Sequence, residues 1–492
     1  MTEGVPQNLE ISNTDEGDSR IIHGFHPIAP DLRSSSIAQK VGVLESDARV
    51  YNKLDEFPIQ PKEIKTSKDL TILSTTFILT YFCLGTTIFT FAVRAKSFGL
   101  FWILVCCIIV GIINYWTIMR GSIVSFKYKD INYYSEMTER IIGKKAKIIL
   151  NILIILYSYA CMICFLALIF PLSGRIILII FYNNKFETYE EFEKKKWGKS
   201  YIKLPFFFAV TFIVSVVCLI KDHNKLNFLS YIGVITVFYT LFVVMVQCND
   251  YYNYYKETKY KREDKNTHPN WFDLGKAFSK DLDFFKGMAN LFCAYAIHPR
   301  IYPVCKGFKT QKDGLKKMRY GVFFAICLTT AFHIISIVCS FLTDPYTPED
   351  LIIFRKNKGK GKDIAMTISK LFVVLSLIFT IPGYCLSLRL NIVNSFNKGI
   401  LTDRFNYFFT FGSCLGCAII AAIYDKILNY LSYIGGFISV FICYLYPILI
   451  YVFSTEKKLK DWKNIIEIIL AVILCIIGVI AGIITIIDDI KN

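Results

Sequence analysis

The stretch at residues 79–91, LTYFCLGTTIFTF, lies inside an apolar run long enough to cross a membrane. At its centre, Gly85-Thr86-Thr87 joins a poor helix former to two residues whose hydroxyls compete for backbone hydrogen bonds. A membrane helix that breaks there frees backbone groups, which are tolerated only beside a protein-buried cavity. Secondary transporters hold small charged substrates at such breaks. The same residues also fit close packing against a neighbouring helix, so this stretch alone leaves both interpretations open.

The composition is typical of a polytopic membrane protein. Of the 492 residues, 54% are hydrophobic and only 19% are charged, whereas soluble domains are about a quarter charged. The mean hydropathy is +0.44. The net charge of +17 comes from lysines in short loops, which fits lipid headgroups and topology signals rather than nucleic acid. No nucleophile–base pair, phosphate loop or metal-ligand cluster appears at usable spacing, so neither an enzyme nor a cofactor or metal site is predicted.

The sixteen cysteines fall almost wholly within apolar runs, which argues against a disulfide framework. Cys161 and Cys164 have the CxxC spacing, as do Cys414 and Cys417. Both pairs lie in apolar helices without the βα context or the histidine partner of redox and metal motifs. Packing is therefore favoured over chemistry for both pairs.

Eleven apolar segments are each near the roughly 20 residues that a bilayer core requires. They are 70–93, 99–119, 148–180, 204–220, 228–247, 284–304, 322–342, 364–388, 405–424, 430–453 and 465–487. They predict a transmembrane domain over 69–492. Residues 1–68 are polar and lack the pattern of a signal peptide, and we interpret them as a disordered cytosolic tail. Basic clusters at span ends predict a cytosolic amino terminus and an outer carboxyl terminus.

Five short motifs follow one another along the chain. They are Gly85-Thr86-Thr87-Ile88-Phe89, Tyr133-Tyr134-Ser135-Glu136-Met137 with Ile142-Gly143-Lys144-Lys145, Lys221-Asp222 with Leu229-Ser230-Tyr231-Ile232-Gly233, FCAYAIHPRIYPVCKGFKTQKDGLKKM at 292–318, and Phe379-Thr380-Ile381-Pro382 with Arg389. In this order they resemble the amino acid/auxin permease family, and the last two resemble its neutral amino acid transporter branch. The resemblance covers roughly residues 70–453. The richness in Ile, Lys, Asn, Tyr and Phe is typical of AT-biased coding and suggests an apicomplexan member.

The resemblance implies an all-α polytopic membrane protein with a broken-helix transporter fold, in which two inverted five-helix repeats precede one extra span. In this chain the repeats would occupy about 70–248 and 284–453, and the extra span 465–487. The first and sixth spans would be discontinuous. The sixth has its own break signal, because Pro299 after His298 removes a backbone donor and disfavours helix just before it.

Secondary transport of amino acids is the activity that the resemblance implies, and the two breaks suit a zwitterion. We predict that the carboxylate binds the backbone and hydroxyls of Gly85, Thr86 and Thr87, near the amino end of a half-helix. Carbonyls near Leu84 and at Ala294, Tyr295 and Ala296 would accept from the ammonium. Aromatic candidates for the side-chain pocket, in a chain with 30 Tyr and 42 Phe, are Tyr81, Phe89, Tyr157, Tyr295 and Tyr384.

His298 lies within an apolar span, where an ionisable side chain is a functional hypothesis by default, and histidine titrates near physiological pH. It is a candidate proton carrier, with a hydrogen bond to a neighbouring helix as the alternative. His333 is a second candidate. Arg389, at the end of the eighth predicted span, is expected to snorkel to the membrane interface. Arg94 and Lys96, after the first span, are considered for an outer gate.

The family resemblance also bears on the coupling ion. In the sodium-coupled branch an asparagine precedes the first-span glycine, and a hydroxyl residue of the eighth span completes the ion site. Tyr81 stands in the corresponding place here, while Thr380 or Ser376 remains available. Thr87 also replaces the second glycine of the family pattern. The loss of the amide oxygen predicts proton coupling or uncoupled exchange rather than sodium coupling.

These observations predict a secondary amino acid transporter that works by alternating access, with the proton as the candidate coupling ion. It would lie in the plasma membrane or in an acidic vacuolar membrane. The alternative is a transporter-like amino acid sensor that signals through the tail at 1–68. A channel is disfavoured, because its polar rings would line several spans, which here carry scattered hydroxyls instead. The sequence does not specify which amino acids bind.

Overall fold

The computed structural model describes residues 70–491, apart from 132, 183–188, 194, 196–199, 221–222, 259–270, 273–281, 345–350, 356–362, 397–401, 425 and 456–457. The tail at 1–68 lies outside the described residues, so its predicted disorder and the sensor hypothesis that depends on it stay predictions. Within the described residues the chain forms helices and connecting turns, and no β-strand. The all-α fold class is therefore confirmed.

Sixteen α-helices follow one another in the described part of the chain. They are α1 (Ile72–Cys83), α2 (Phe91–Phe98), α3 (Leu100–Lys127), α4 (Tyr134–Ile141), α5 (Lys144–Phe181), α6 (Tyr189–Phe192), α7 (Ser200–Cys218), α8 (His223–Thr258), α9 (Asp283–Ala294), α10 (His298–Lys306), α11 (Gly314–Thr343), α12 (Ile364–Phe396), α13 (Asp403–Ile423), α14 (Ile427–Tyr433), α15 (Tyr446–Ser454) and α16 (Trp462–Lys491). Two π-helical turns, Ile434–Ser439 and Phe441–Leu445, make α14 and α15 nearly continuous.

Among the described residues, eight helices are long and apolar enough to cross a membrane. They are α3, α5, the Tyr231–Tyr254 part of α8, α11, α12, α13, the run Ile427–Ser454 and α16. The chain is thus a multi-pass membrane protein. The apolar helices Ile72–Cys83 and Leu204–Cys218 are shorter and coincide with the first and fourth predicted spans. The count of eleven spans stays a prediction, because the helices of the first, fourth and sixth are too short to qualify by length alone.

The first span is broken where the glycine and threonines stand. Thr71 caps α1, since its hydroxyl accepts from the Ser74 amide at 3.1 Å while the Ser74 hydroxyl accepts from the Thr71 amide at 3.0 Å. This reciprocal pair is a capping box. α1 ends at Cys83, and the chain passes Gly85 into a 3₁₀ turn, Thr86–Phe89, before α2. The predicted discontinuity of this span is confirmed.

The sixth span is broken as well. α9 ends at Ala294, residues 295–297 are not helical, and α10 begins at His298. Pro299 lies in the first turn of α10. The missing amide of proline is harmless there, and its fixed φ suits a helix start. The proline therefore begins the second half-helix, and the break lies in the three residues before it.

Packing brings the two broken spans together. α9 contacts both α2 and the 3₁₀ turn of the first span. α5 and α12 share the most extensive helix–helix contact among the described residues, and α11 packs against α1 and α3. The two breaks thus lie within a bundle whose long helices can contribute side chains to them.

Glycines let α9, the tenth span and α16 approach closely. A Cβ at Gly435 would lie 1.8 Å from the carbonyl oxygen of Ala289, and one at Gly436 would lie 2.5 Å from that of Gly478. Small residues of this kind drive helix association in membranes, where the hydrophobic effect between helices is absent. The first half of the sixth span, α9, is therefore held in close contact with the tenth span, which in turn packs closely against α16.

Candidate functional site

Gly85 and Thr87, at the first break, differ in their exposure. Gly85 is partly exposed, and a Cβ there would lie 3.8 Å from the Phe165 ring, an ordinary contact distance. Thr87 is only 3% exposed, and its carbonyl accepts from the Thr90 amide at 3.1 Å and the Thr90 hydroxyl at 2.8 Å. The side chain of Thr86 lies outside what the structure describes. Gly85 is therefore more open than Thr87.

The sixth break is held by side chains from other helices. The Tyr157 hydroxyl, on α5, donates to the Ala296 carbonyl at 2.8 Å. The Tyr295 hydroxyl lies 2.8 Å from that of Thr330 and donates to the Cys107 carbonyl at 3.3 Å. Tyr295 therefore points towards α3 and α11. The Ala296 carbonyl, predicted to accept from a substrate ammonium, is occupied by Tyr157.

A small pocket opens between the two broken spans, α5 and α12. Its described lining consists of Phe82, Tyr157, Ser158, Ala296, Pro299, Arg300, Tyr384 and Ser387. The structure thus brings the predicted Tyr157, Tyr384 and Ala296 together at one site. The free space admits roughly one water molecule, so an amino acid fits only after the walls move apart.

Four lining residues were not predicted from the sequence, and Arg300 is the charged one; the others are Phe82, Ser158 and Ser387. Its guanidinium carbon lies 3.9 Å from the Phe82 ring centroid and 4.9 Å from that of Tyr384, within the range of cation–π attraction. Its Nη2 atom is buried without a hydrogen-bond partner in the structure. A Cβ at Gly383 would lie 2.8 Å from this Nη2, so the glycine makes room for the guanidinium. The available signal was a charged residue within an apolar span.

Tyr81 lies beside the pocket and bonds to α12. Its hydroxyl donates to the Ser376 carbonyl at 3.1 Å and makes a short hydrogen bond with the Thr380 hydroxyl. Thr380 also donates to the Ser376 carbonyl, at 2.7 Å. The ring fits because a Cβ at Gly233 would lie only 1.7 Å from it. The Tyr81 phenol therefore bonds to the hydroxyl of Thr380, the eighth-span residue predicted to take part in ion coupling.

The two candidate histidines lie outside the pocket lining. His298 is 2% exposed, and its Nε2 lies 2.9 Å from the Thr117 hydroxyl on α3. His333 is fully buried, with ring centroids 5.2 Å from Phe91 and 5.3 Å from Tyr295. Both histidines join neighbouring helices in this structure. Phe89, another predicted pocket residue, is 3% exposed and is not part of the lining.

Arg389 does not snorkel to the interface as expected. It is fully buried and donates to the Thr410 hydroxyl and the Ile220 carbonyl, each at 3.1 Å, and to the Asn406 side-chain oxygen. The reason is that α12 continues to Phe396, so Arg389 lies about two turns inside the helix. Oxygens of α13 and of the end of α7 replace the water that the side chain would otherwise reach.

Charged contacts tie down both ends of the broken spans. At one end Arg94 Nη1, on α2, lies 3.8 Å from the Asp283 carboxylate at the start of α9, while Lys96 is exposed. At the other end Lys309, after α10, donates to the Tyr128 and Ile131 carbonyls beyond α3. Burial lowers the pKa of Lys309 from its usual value. The pocket thus lies between an ion pair and a cation held by carbonyls.

The family model and the solved structures that resemble this chain are all of transporters. A family model described as "Transmembrane amino acid transporter protein" matches residues 68–490. No curated protein sequence matches the chain significantly. Among solved structures, a manganese transporter of Eremococcus coleocola, crystallised with an aromatic bis-isothiourea compound, is similar with a TM-score of 0.54 and 11% identity, over 86% of this chain and 90% of that one.

A second solved structure is that of a nucleobase–cation symport family transporter, closed and with bromovinylhydantoin bound. It gives a TM-score of 0.47 at 12% identity, over 84% of this chain and 90% of that one. At such identities the manganese transporter supports the fold alone, which is a broken-helix transporter fold. The family model covers most of the chain and includes both broken spans and the pocket between them. The chain therefore belongs to the family of transmembrane amino acid transporters, the amino acid/auxin permease family that its motifs resemble.

Proposed function

We propose that the protein is a secondary active transporter that moves amino acids by alternating access, coupled to protons or uncoupled rather than coupled to sodium. The observation that carries the proposal is the pocket where the two broken spans, α5 and α12 meet. Membership of an amino acid transporter family supports the substrate class. Broken helices at mid-membrane are where transporters of this architecture bind substrates.

The proposed substrate pose follows from the chemistry of the two breaks. The carboxylate binds the open backbone at Gly85 and the 3₁₀ turn that follows it, where amide groups and the local dipole favour an anion. The ammonium approaches the carbonyls near Leu84 and at the sixth break. To use the Ala296 carbonyl it must share that oxygen with the Tyr157 hydroxyl or displace it. A carbonyl has two lone pairs, so sharing is possible.

Arg300 adds a preference for net charge. Of the eight lining residues that the structure describes, it alone is charged, and a guanidinium binds carboxylates through paired hydrogen bonds. In surroundings of low dielectric a fixed positive charge repels a cationic side chain strongly. The proposed substrates are therefore neutral or acidic amino acids, and lysine and arginine are excluded.

Tyr81 supports the absence of sodium coupling. A sodium site needs several oxygen ligands in one place, but here the Tyr81 phenol already donates to the Ser376 carbonyl and bonds to the Thr380 hydroxyl. A phenol oxygen that donates its proton presents no negative charge to a cation. The residues that would form a sodium site are thus engaged with one another.

The narrow pocket supports alternating access over a permanently open path. Because it admits about one water molecule, the helices around it must rearrange for substrate to enter. Half-helices joined by short breaks can tilt without melting the rest of the span. The closed pocket is then one state of a cycle that opens to each side in turn.

The test is uptake by the purified full chain in proteoliposomes. Each of the twenty amino acids would be supplied in labelled form, with and without a pH gradient, and with sodium or choline as the external cation. We expect accumulation of neutral or acidic amino acids, uptake unchanged by choline, and loss of any gradient stimulation when a protonophore is added. Empty liposomes and proteoliposomes carrying Arg300→Ala protein are the controls.

Three outcomes would contradict the proposal in different parts. Uptake that requires sodium would contradict the argument from Tyr81. Transport of lysine or arginine as fast as that of neutral substrates would contradict the role of Arg300. Saturable binding of an amino acid without any transport would contradict the transporter itself and favour a sensor.

A further inference from the structure

Three cysteine thiols from three different helices meet in the described part of the chain. Cys218 is the last residue of α7, Cys385 lies in α12 and Cys414 lies in α13, and their Sγ atoms are all within 4.8 Å of one another. Each of the three residues is 0% exposed. None of them lines the amino acid pocket. The CxxC spacing of Cys414 and Cys417 did not reveal the group, because its other members come from distant parts of the sequence.

A buried positive charge lies next to this group. Arg389 follows Cys385 by four residues, so both side chains lie on the same face of α12. The hydrogen bonds of its guanidinium to Asn406, Thr410 and Ile220 all end on neutral oxygens. A nearby guanidinium stabilises the thiolate form of a cysteine. The thiolate is the form that binds metal ions.

The ligand set indicates a soft ion. Three sulfurs meet here without a histidine or carboxylate ligand among the described residues, and thiolates select Cu(I) and Zn²⁺ over hard cations. Zn²⁺ in structural sites is almost always four-coordinate, whereas Cu(I) is satisfied by two or three sulfurs. A metal–sulfur bond of about 2.3 Å places the three sulfurs of a trigonal site about 4 Å apart, which the observed separations allow.

We propose that Cys218, Cys385 and Cys414 bind one Cu(I) ion. Two of the thiols lose their protons to the solvent and bind the ion as thiolates, and the third, still protonated, adds only a weak contact through a sulfur lone pair. One copper ion and two thiolates carry a net charge of −1, which the guanidinium of Arg389 balances. The ion links α7 and α13 to α12, the helix that also carries Tyr384 and Ser387 of the amino acid pocket.

The position in the membrane suits an intracellular metal ion. Cys218 is the last residue of α7, and the Ile220 carbonyl, which accepts a hydrogen bond from Arg389, follows two residues later, so the site is next to this end of α7. With the predicted cytosolic amino terminus this end faces the cytosol. Thiols there are kept reduced, which favours coordination of a metal over formation of a disulfide.

The experiment measures Cu(I) retained by the purified full-length protein in detergent. Cu(I) would be generated with ascorbate under argon and offered together with the chelator bicinchoninate, whose complex reports the copper that the protein does not hold. We expect the wild type to retain one Cu(I) per chain. The triple variant Cys218→Ser, Cys385→Ser, Cys414→Ser should retain none, and each single variant should lose at least tenfold in affinity. Cys417→Ser, a buried cysteine of α13 outside the group, is the matched control and should behave as the wild type.

X-ray absorption at the copper edge gives a second measurement on the wild type, which stays decisive if the triple variant does not fold. Two or three sulfur neighbours at about 2.3 Å would support the site. Nitrogen or oxygen neighbours would overturn it. So would failure of the wild type to compete with the chelator, or equal copper loss in Cys417→Ser. Retention of one Zn²⁺ in place of Cu(I) would overturn the choice of ion.

Discussion

The break in the first span is bordered by Gly85 and a short 3₁₀ turn, whereas the break in the sixth span is held by side chains from neighbouring helices. At the first, Gly85 is partly exposed, and a Cβ there would meet only the Phe165 ring within 4 Å. At the sixth, Tyr157 donates to Ala296 and Tyr295 bonds to Thr330. The difference suggests a division of labour, in which the first break offers backbone to a substrate and the sixth supplies fixed side chains, Arg300 above all.

The largest effect is expected from removing the charge of Arg300. Arg300→Ala deletes the guanidinium that lies between Phe82 and Tyr384. A hydrogen bond to a charged group contributes about 1.5–3 kcal/mol, so the apparent affinity for an acidic substrate, whose side-chain carboxylate can pair with Arg300, should fall by roughly 10- to 150-fold. The measurement is the KM of uptake in proteoliposomes. The matched control is Lys306→Ala, which removes an exposed cation from the same half-helix.

Arg300→Lys sharpens this prediction. Lysine keeps the charge but loses the planar, two-point geometry, so it should recover part of the affinity and keep the discrimination against cationic substrates. Full activity of Arg300→Ala would mean that the sixth break contributes no charge to binding. The division between the two breaks would then have to be abandoned.

A smaller effect is expected at Tyr157. Tyr157→Phe removes the hydrogen bond to the Ala296 carbonyl. Because Ala296 lines the pocket, a water molecule can donate to its carbonyl in place of the tyrosine hydroxyl. The net loss is about 0.5–1.5 kcal/mol, or roughly two- to tenfold in the apparent affinity. Tyr159→Phe is the control, since that hydroxyl, also on α5, bonds to Ser413 at 3.1 Å. Tighter binding by Tyr157→Phe would instead show that tyrosine and substrate compete for the carbonyl.

Both breaks could be predicted from the sequence because their causes are local. Gly85 and the threonines after it, and Pro299 after His298, act through the backbone of their own segment. Arg300 was missed because its place depends on Phe82 and Tyr384 from two other helices. Sequence shows which residues can disturb a helix, but not which side chains from elsewhere will meet at the disturbance.

Arg389 and the cysteine group repeat this lesson away from the pocket. Arg389 does not snorkel because α12 extends beyond the predicted end of the eighth span, and the side chain finds its acceptors in α13 and at Ile220, just after α7. Cys218, Cys385 and Cys414 are separated by long stretches of sequence and meet only through helix packing. No local pattern distinguishes them from the other buried cysteines.

The variant His298→Gln tests whether the sixth span also carries protons during transport. His298→Gln keeps a polar group near Thr117 but cannot titrate. Because the ring is buried outside the pocket lining and bonded to α3, we expect the stimulation of uptake by a pH gradient to be retained. The free energy of unfolding should fall by less than about 1.5 kcal/mol, the contribution of one hydrogen bond, and thermal melting measures this change. Loss of gradient stimulation in a folded variant would identify His298 as a proton carrier and contradict a purely structural role.

The smallest effect on stability is expected at Gly85. Its φ is −59°, and a Cβ there would meet the Phe165 ring at an ordinary 3.8 Å. The free energy of unfolding of Gly85→Ala should therefore lie within about 1 kcal/mol of the wild-type value. Gly233→Ala is the contrasting control, because its Cβ would lie 1.7 Å from the Tyr81 ring and displace it from Thr380. If Gly85→Ala unfolds as readily as Gly233→Ala, the first break is a packing contact. If it folds normally but loses uptake, the glycine is there for the backbone it exposes.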